Sequence, residues 1–127
     1  MRLWHYKIIP YLPKGQLVAQ WRELGSIFAK EDKHILINYI YNYPKAVLKN
    51  YADIVVNEMK RRGYTIRSFD NYNNYFKGVE TCEENFSEHD DEYLSICYWN
   101  LREKFIRGQK DFTLKCYTEL ENFYFNQ

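Results

Sequence analysis

Hydrophobic residues recur at three- and four-residue intervals along most of the chain, and this spacing predicts α-helices. The first helix is predicted to begin near Pro13 or Lys14 and to run to about Lys30, with one apolar side that should face the core. That apolar stripe consists of Leu17, Trp21, Leu24 and Phe28.

The opposite side of this helix combines small residues with two charges. Gly15, Ala19 and Ser26 leave room there for another part of the chain, or a ligand, to approach Arg22 and Glu23. An Arg-Glu pair on a helix is most often a solvated face. The alternative is an open slot in which both charges bind a ligand or take part in chemistry.

Three more segments show helical periodicity. A second helix is predicted from Pro44 to a stop at Gly63, a third from an N-cap at Ser87 to a stop at Gly108, and a last one across residues 114–124. Their stripes are Leu48, Tyr51, Val55 and Met59 in the second helix, Leu94, Cys97, Tyr98, Leu101 and Phe105 in the third, and Leu114, Tyr117, Leu120 and Tyr124, preceded by Phe112, in the last.

The remaining segments are predicted to be short or irregular. Pro10 and Pro13 break the first thirteen residues. Residues 34–43 fit a short helix or a buried strand, and helix is favoured because no other segment offers a sheet. Residues 64–86 have the composition of a loop. The side chains expected to anchor the N-terminus are Trp4, Ile8, Ile9 and Leu12.

The length of 127 residues suits one domain that buries roughly two thirds of its surface. We therefore predict a single all-α domain over residues 1–127, with three main helices plus short helices and loops. Cys82, Cys97 and Cys116 are odd in number and have no metal-finger spacing, so free thiols in a reducing cytoplasm are expected. The first thirty residues hold no apolar run suited to a signal or a membrane span.

The net charge of +1 conceals an uneven distribution. Residues 1–79 carry 13 basic and 6 acidic side chains, residues 80–92 carry 7 acidic and no basic ones, and residues 93–127 carry 5 basic and 4 acidic ones. A basic face beside aromatic residues is typical of nucleic-acid binding, although many proteins with this modest excess bind none. Most of the 13 Tyr and 8 Phe are expected in the core.

Common catalytic constellations are absent from the sequence. His5, His34 and His89 lie far apart without a metal-binding spacing, and no Ser-His-Asp motif is present, so we predict no metal and no cofactor. The run of Lys60, Arg61 and Arg62 either complements the dipole of the second helix or contacts phosphate.

Three stretches resemble the pyrimidine-dimer DNA glycosylases, the family of phage endonuclease V. The first is Gln16–Leu24 followed by Phe28, and the second is Ile54–Ile66, which ends in a basic-Arg-Gly-aromatic turn. The third is Leu101–Phe105, preceded by Ile96. The resemblance implies the compact all-α fold of that family.

The resemblance also implies a mechanism. Such enzymes attack the sugar C1′ of the target nucleotide with the terminal α-amine, release the base, and form a Schiff base that undergoes β-elimination. Arg2 is too bulky for ordinary removal of the initiator, so Met1 is expected to stay and to supply the nucleophile. Glu23 matches the catalytic carboxylate of the family.

The positions implied in DNA binding are Arg2, Gln16, Arg22, Ser26 and Lys104. Arg22 and Lys104 match groups that contact the DNA backbone. Gln16 and Ser26 stand where the family has a histidine and an arginine, and Asn100 also replaces an arginine. These three replacements are expected to affect the affinity for DNA and the recognition of a cyclobutane-dimer substrate more than the lyase chemistry.

The sequence thus favours a cytoplasmic DNA repair enzyme, a DNA glycosylase with abasic-site lyase activity that acts as a monomer on damaged or abasic double-stranded DNA. A non-catalytic DNA-binding or regulatory relative of the same fold is the alternative. A protein-interaction domain that uses the acidic residues 80–92 is a third.

Overall fold

The computed structural model describes all 127 residues and is built from helices without a strand. The α-helices are α1 (Lys14–Lys30), α2 (Lys45–Arg61), α3 (Asp70–Tyr75), α4 (Asp91–Ile106) and α5 (Leu114–Phe125), and two 3₁₀ helices span Tyr6–Tyr11 and Asn38–Asn42. The all-α prediction is confirmed. None of the helices combines the length and apolar character needed to span a bilayer.

The helices enclose one continuous core. Helix α1 packs against α2 and α3, and the first 3₁₀ helix packs against α2, α4 and α5. In α1 the predicted stripe is buried except for Trp21, which is half-buried because its ring lies at the helix edge against Phe28 and Phe69. All four stripe residues of α2, Leu48, Tyr51, Val55 and Met59, are buried.

Two helix starts differ from the predictions. Helix α4 begins after Asp90, whose Oδ1 accepts a hydrogen bond from the Tyr93 backbone N–H at 2.9 Å. Ser87, the predicted N-cap, instead pairs its hydroxyl with that of Tyr43 at 2.6 Å. In α5 the first stripe residue, Leu114, is 70% exposed because it lies in the first turn, beyond the core.

The two uncertain segments are both partly helical. Residues 34–43 form a turn followed by the second 3₁₀ helix, so the strand alternative is wrong. Residues 64–86 contain α3, and the loop prediction is wrong there. Aromatic packing explains this helix: the Phe76 ring, just after α3, lies edge-on to Phe28 of α1 at 5.0 Å between ring centroids.

The N-terminus of α1 is capped from a distant part of the chain. The Asp111 carboxylate accepts a hydrogen bond from the Gly15 backbone N–H. A β-carbon on residue 15 would overlap that carboxylate, whereas one on Gly25, in the middle of the same helix, would meet no atom within 4 Å. Gly15 therefore leaves room for another part of the chain, Asp111, to approach the helix. This agrees with the prediction made from the small residues on this side of α1.

This difference predicts opposite stability effects for two matched substitutions in α1. Gly15→Ala should displace the Asp111 cap and lower the free energy of unfolding by about 1 kcal/mol. Gly25→Ala should raise it by roughly 0.5–1 kcal/mol, because alanine loses less backbone entropy in a helix. Urea unfolding measures both changes, and stabilisation by both substitutions would contradict the cap.

Two of the three histidines are buried and stacked, with the rings of His5 and His89 at 5.5 Å between centroids. Tyr39 Oη lies 2.7 Å from His89 Nε2, while His89 Nδ1 has no hydrogen-bond partner. Burial lowers the pKa of His89 to about 3, and the neighbouring His5 acts in the same direction. His89 is thus held neutral in the fold.

This burial predicts a loss of stability in acid. Because the pKa of His89 is lower in the folded than in the unfolded chain, its contribution is complete above about pH 6.5. That contribution should be lost toward pH 3, with a slope of up to about 1.4 kcal/mol per pH unit. His89→Gln should flatten the pH dependence of the unfolding free energy by this amount, and His34→Gln, at the exposed histidine, is the control. Equal slopes for His89→Gln and the unsubstituted chain would refute the prediction.

Candidate active site

The first five residues form neither helix nor strand, and side chains from neighbouring helices bind their backbone. The Tyr93 hydroxyl of α4 donates to the carbonyl of Leu3 at 2.6 Å. The Tyr51 hydroxyl of α2 donates to the carbonyl of Trp4, also at 2.6 Å. The side chains of Leu3 and Trp4 are themselves buried, so this extended segment is fixed within the core.

Gln20 of α1 makes the remaining contacts with this segment. Its side-chain Oε1 accepts a hydrogen bond from the Trp4 backbone N–H at 2.8 Å. Its Nε2 lies 3.1 Å from the carbonyl oxygen of Arg2 and 3.2 Å from Glu23 Oε2. The sequence analysis missed Gln20, although a polar residue between Leu17 and Leu24 on the apolar stripe was a usable signal.

An open cavity of about 280 Å³ lies at the end of this segment. It brings together five of the predicted site residues, namely Met1, Arg2, Gln16, Glu23 and Lys104. The other lining residues are Trp4, Leu36 and Asn100. Helix α1 therefore supplies Gln16 and Glu23 to the cavity, and α4 supplies Asn100 and Lys104.

The electrostatics of the cavity centre on Glu23, which is half-buried. Burial raises the pKa of Glu23, while the positive charges of the Met1 amine and of Arg22 oppose the shift. A carboxyl group with a raised pKa exchanges protons closer to neutral pH, and in its ionised form it stabilises a neighbouring cation. Met1, which also lines the cavity, is 37% exposed.

The polar groups around Glu23 are held by the protein. The Arg2 guanidinium lies over the rings of Trp4 and Tyr93, at 5.7 and 6.0 Å from their centroids. Gln16 Nε2 donates to Gln109 Oε1 at 3.1 Å, which ties α1 to the segment between α4 and α5. These contacts thus hold in place the Arg2 guanidinium and the Gln16 amide, which both line the cavity.

Two predicted DNA-binding residues lie elsewhere on α1. Arg22 is exposed and lines a separate cavity of about 530 Å³ together with Arg67. The Ser26 hydroxyl donates to Asp32 Oδ2 at 2.5 Å and lines neither cavity. Arg22 and Glu23, which were predicted to share one open slot, thus line different cavities, because successive residues of a helix point about 100° apart.

The basic run at the end of α2 is largely structural. Buried Glu58 accepts hydrogen bonds from Arg61 Nε at 2.9 Å and from Arg62 Nε at 2.7 Å. Arg62 also donates to the carbonyl of Pro10 at 3.1 Å and so ties α2 to the first 3₁₀ helix. Sequence reasoning missed Glu58, and Lys60 remains an exposed cation.

No group of three His, Cys, Asp or Glu side chains has the arrangement needed to hold a metal ion. The first cavity brings together Met1, which carries the α-amine, and the Glu23 carboxyl group.

Comparison with known proteins gives one result. A family model described as pyrimidine dimer DNA glycosylase matches residues 1–72. The matched range includes Met1, Arg2, Gln16 and Glu23, and it ends before α4, which carries Lys104. No curated protein and no solved structure matches the chain.

Proposed function

The chain belongs to the pyrimidine dimer DNA glycosylase family, and on that premise we propose that it is a DNA glycosylase with abasic-site lyase activity whose nucleophile is the Met1 α-amine. The observation that carries this proposal is the cavity that Met1 and Glu23 share. An amine and a carboxyl group in one water-accessible cavity suit Schiff-base chemistry on a sugar.

The cavity offers two amines, and the chemistry favours the α-amine. The second is the Lys104 side chain, which α4 contributes. A chain-terminal α-amine has a reference pKa of about 7.7–8.0 and a lysine about 10.4, so at pH 7 an α-amine has on the order of 300-fold more neutral nucleophile. We assign attack to Met1 and contact with the DNA backbone to Lys104.

The proposed reaction proceeds in two stages. The neutral amine forms a bond to C1′ of the target nucleotide, and the glycosidic bond breaks with its electron pair on the base, which takes up a proton. The sugar ring then opens: the C1′–O4′ bond breaks with its electron pair on O4′, which takes up a proton, and a cationic Schiff base forms between the Met1 nitrogen and C1′. Loss of a proton from C2′ then expels the 3′ phosphate and cuts the strand.

Glu23 has two tasks in this scheme. Its carboxylate stabilises the positive charge that develops on the Schiff base, and it accepts and returns the protons that the amine and the sugar exchange. Its half-buried position serves both, because the interaction with a cation is stronger where less water screens it.

The surface around the cavity offers cations for the DNA backbone. Arg2 and Lys104 border the cavity itself, and Arg22 and Arg67 line the second cavity, so four cations are available to contact phosphates. Rotation of the target nucleotide out of the base stack would give the amine access to C1′.

The role of the carboxylate predicts the effect of Glu23→Gln. This change keeps the shape of the side chain and removes its charge, so cleavage at an abasic site should fall by about 10²–10⁴-fold. DNA binding should persist or tighten, because one negative charge near the phosphates is lost. Gel assays of strand cleavage and of binding measure the two effects.

Glu83→Gln is the matched control, since it makes the same charge change at an exposed residue remote in sequence from the cavity lining. It should cleave at the rate of the unsubstituted protein. Unchanged cleavage by Glu23→Gln would remove Glu23 from the mechanism.

The nucleophile predicts a requirement for a free N-terminus at Met1. Adding a short peptide before Met1 should abolish cleavage of abasic DNA and capture by borohydride, because it displaces the amine from the cavity. The same peptide after the exposed Gln127 is the control and should change neither. Intact-mass measurement establishes that Met1 is the first residue of the native sample.

Full activity of the N-terminally extended protein would reject the α-amine. Retained DNA binding without cleavage in the native protein would identify the non-catalytic DNA-binding relative.

A further inference from the structure

Gln20 is the polar side chain that α1 buries most completely, at 1% exposure. Burial of an amide is costly unless its donors and acceptors are satisfied. Here the amide meets groups on both sides of the candidate reaction centre: the segment that begins with Met1, and the Glu23 carboxylate one helical turn further along α1.

The orientation of this amide is determined by its neighbours. Oε1 faces the Trp4 backbone N–H at 2.8 Å, and a rotated amide would point its NH₂ at that N–H, donor against donor. Nε2 must then face the Arg2 carbonyl and Glu23, which are both acceptors.

One NH₂ group therefore donates its two protons to two groups whose relative position matters for the proposed reaction. One goes to the carbonyl of Arg2, the residue directly after the proposed nucleophile, at 3.1 Å between heavy atoms. The other goes to Oε2 of Glu23, at 3.2 Å. Binding of Oε2 restricts rotation of the carboxylate about its last bond.

We propose that Gln20 is a positioning residue that fixes the spacing between the Met1 α-amine and the Glu23 carboxylate. It acts through these two groups and does not touch the DNA. The inference rests on the proposed function and adds to it a requirement for an amide at position 20.

A carboxylate of the same shape cannot replace this amide. Ionised glutamate donates no hydrogen bond, so it would oppose both the Arg2 carbonyl and Glu23. It would also place a second negative charge next to Glu23 and so favour protonation of that carboxyl group. A protonated glutamate regains one donor, and the defect should therefore shrink as the pH falls.

The test uses the full chain with Gln20→Glu and Gln20→Met, and a duplex that contains one abasic site. At saturating DNA, the rate of borohydride capture should fall by about 10–100-fold in both variants, because small misplacements of reacting groups cost this much. DNA affinity should change by less than about threefold, since the basic residues are untouched. The native capture rate divided by the Gln20→Glu capture rate should decrease as the pH is lowered from 8 to 5.

Tyr98→Phe is the control for a general loss of stability. It removes the buried hydrogen bond between the Tyr98 and Tyr117 hydroxyls, which are 2.8 Å apart on the side of α4 that packs against α5. This variant should capture DNA at the native rate. Thermal unfolding of each variant establishes that it is folded at the assay temperature. If Gln20→Met does not fold, the pH dependence of the isosteric Gln20→Glu variant still tests the inference.

Capture at the native rate by folded Gln20 variants would overturn the inference and leave the proposed function intact. An equal loss in Tyr98→Phe, or a Gln20→Glu defect that does not change with pH, would also overturn it, because destabilisation would then explain the result. Absence of capture by the native protein would overturn the proposed function and this inference together.

Discussion

The hydrogen bonds that side chains make to the first residues of the chain are the constraint on which the site depends. An extended segment inside a helical protein has no neighbouring strand, so its buried backbone groups must find partners elsewhere. Gln20, Tyr51 and Tyr93 supply them from α1, α2 and α4. All three helices contribute side chains to the core, so the position of the terminus depends on how they pack.

This arrangement links stability to chemistry. A terminal amine is ordinarily the most mobile group of a chain, and ordering it costs conformational entropy. Here the cost is met by burial of Leu3 and Trp4 and by the bonds to their carbonyls, all within three residues of the amine. Gln20 binds both the Glu23 carboxylate and this terminal segment.

Local periodicity predicted the helices, and tertiary contacts account for what it missed. The stripes of α2 and α4 were correct because apolar spacing is a local property. The start of α4 was wrong because Phe86 and His89 are buried in the core and hold the preceding residues as a turn. In the site, the placement of Met1, Glu23 and Lys104 came from family resemblance, and they line one cavity. Gln20 and Asp111 were missed because their partners lie 16 and 96 residues away in sequence.

The central claim is that the Met1 α-amine forms the covalent bond with DNA. Its most direct test is peptide mass spectrometry of the borohydride-reduced adduct, after digestion at acidic residues so that Met1 and Lys104 fall in different peptides. The sugar-derived mass should lie in the N-terminal peptide, and fragmentation should assign it to the Met1 nitrogen and not to Lys7 or Lys14. Attachment to Lys104, which lines the same cavity, would contradict the claim.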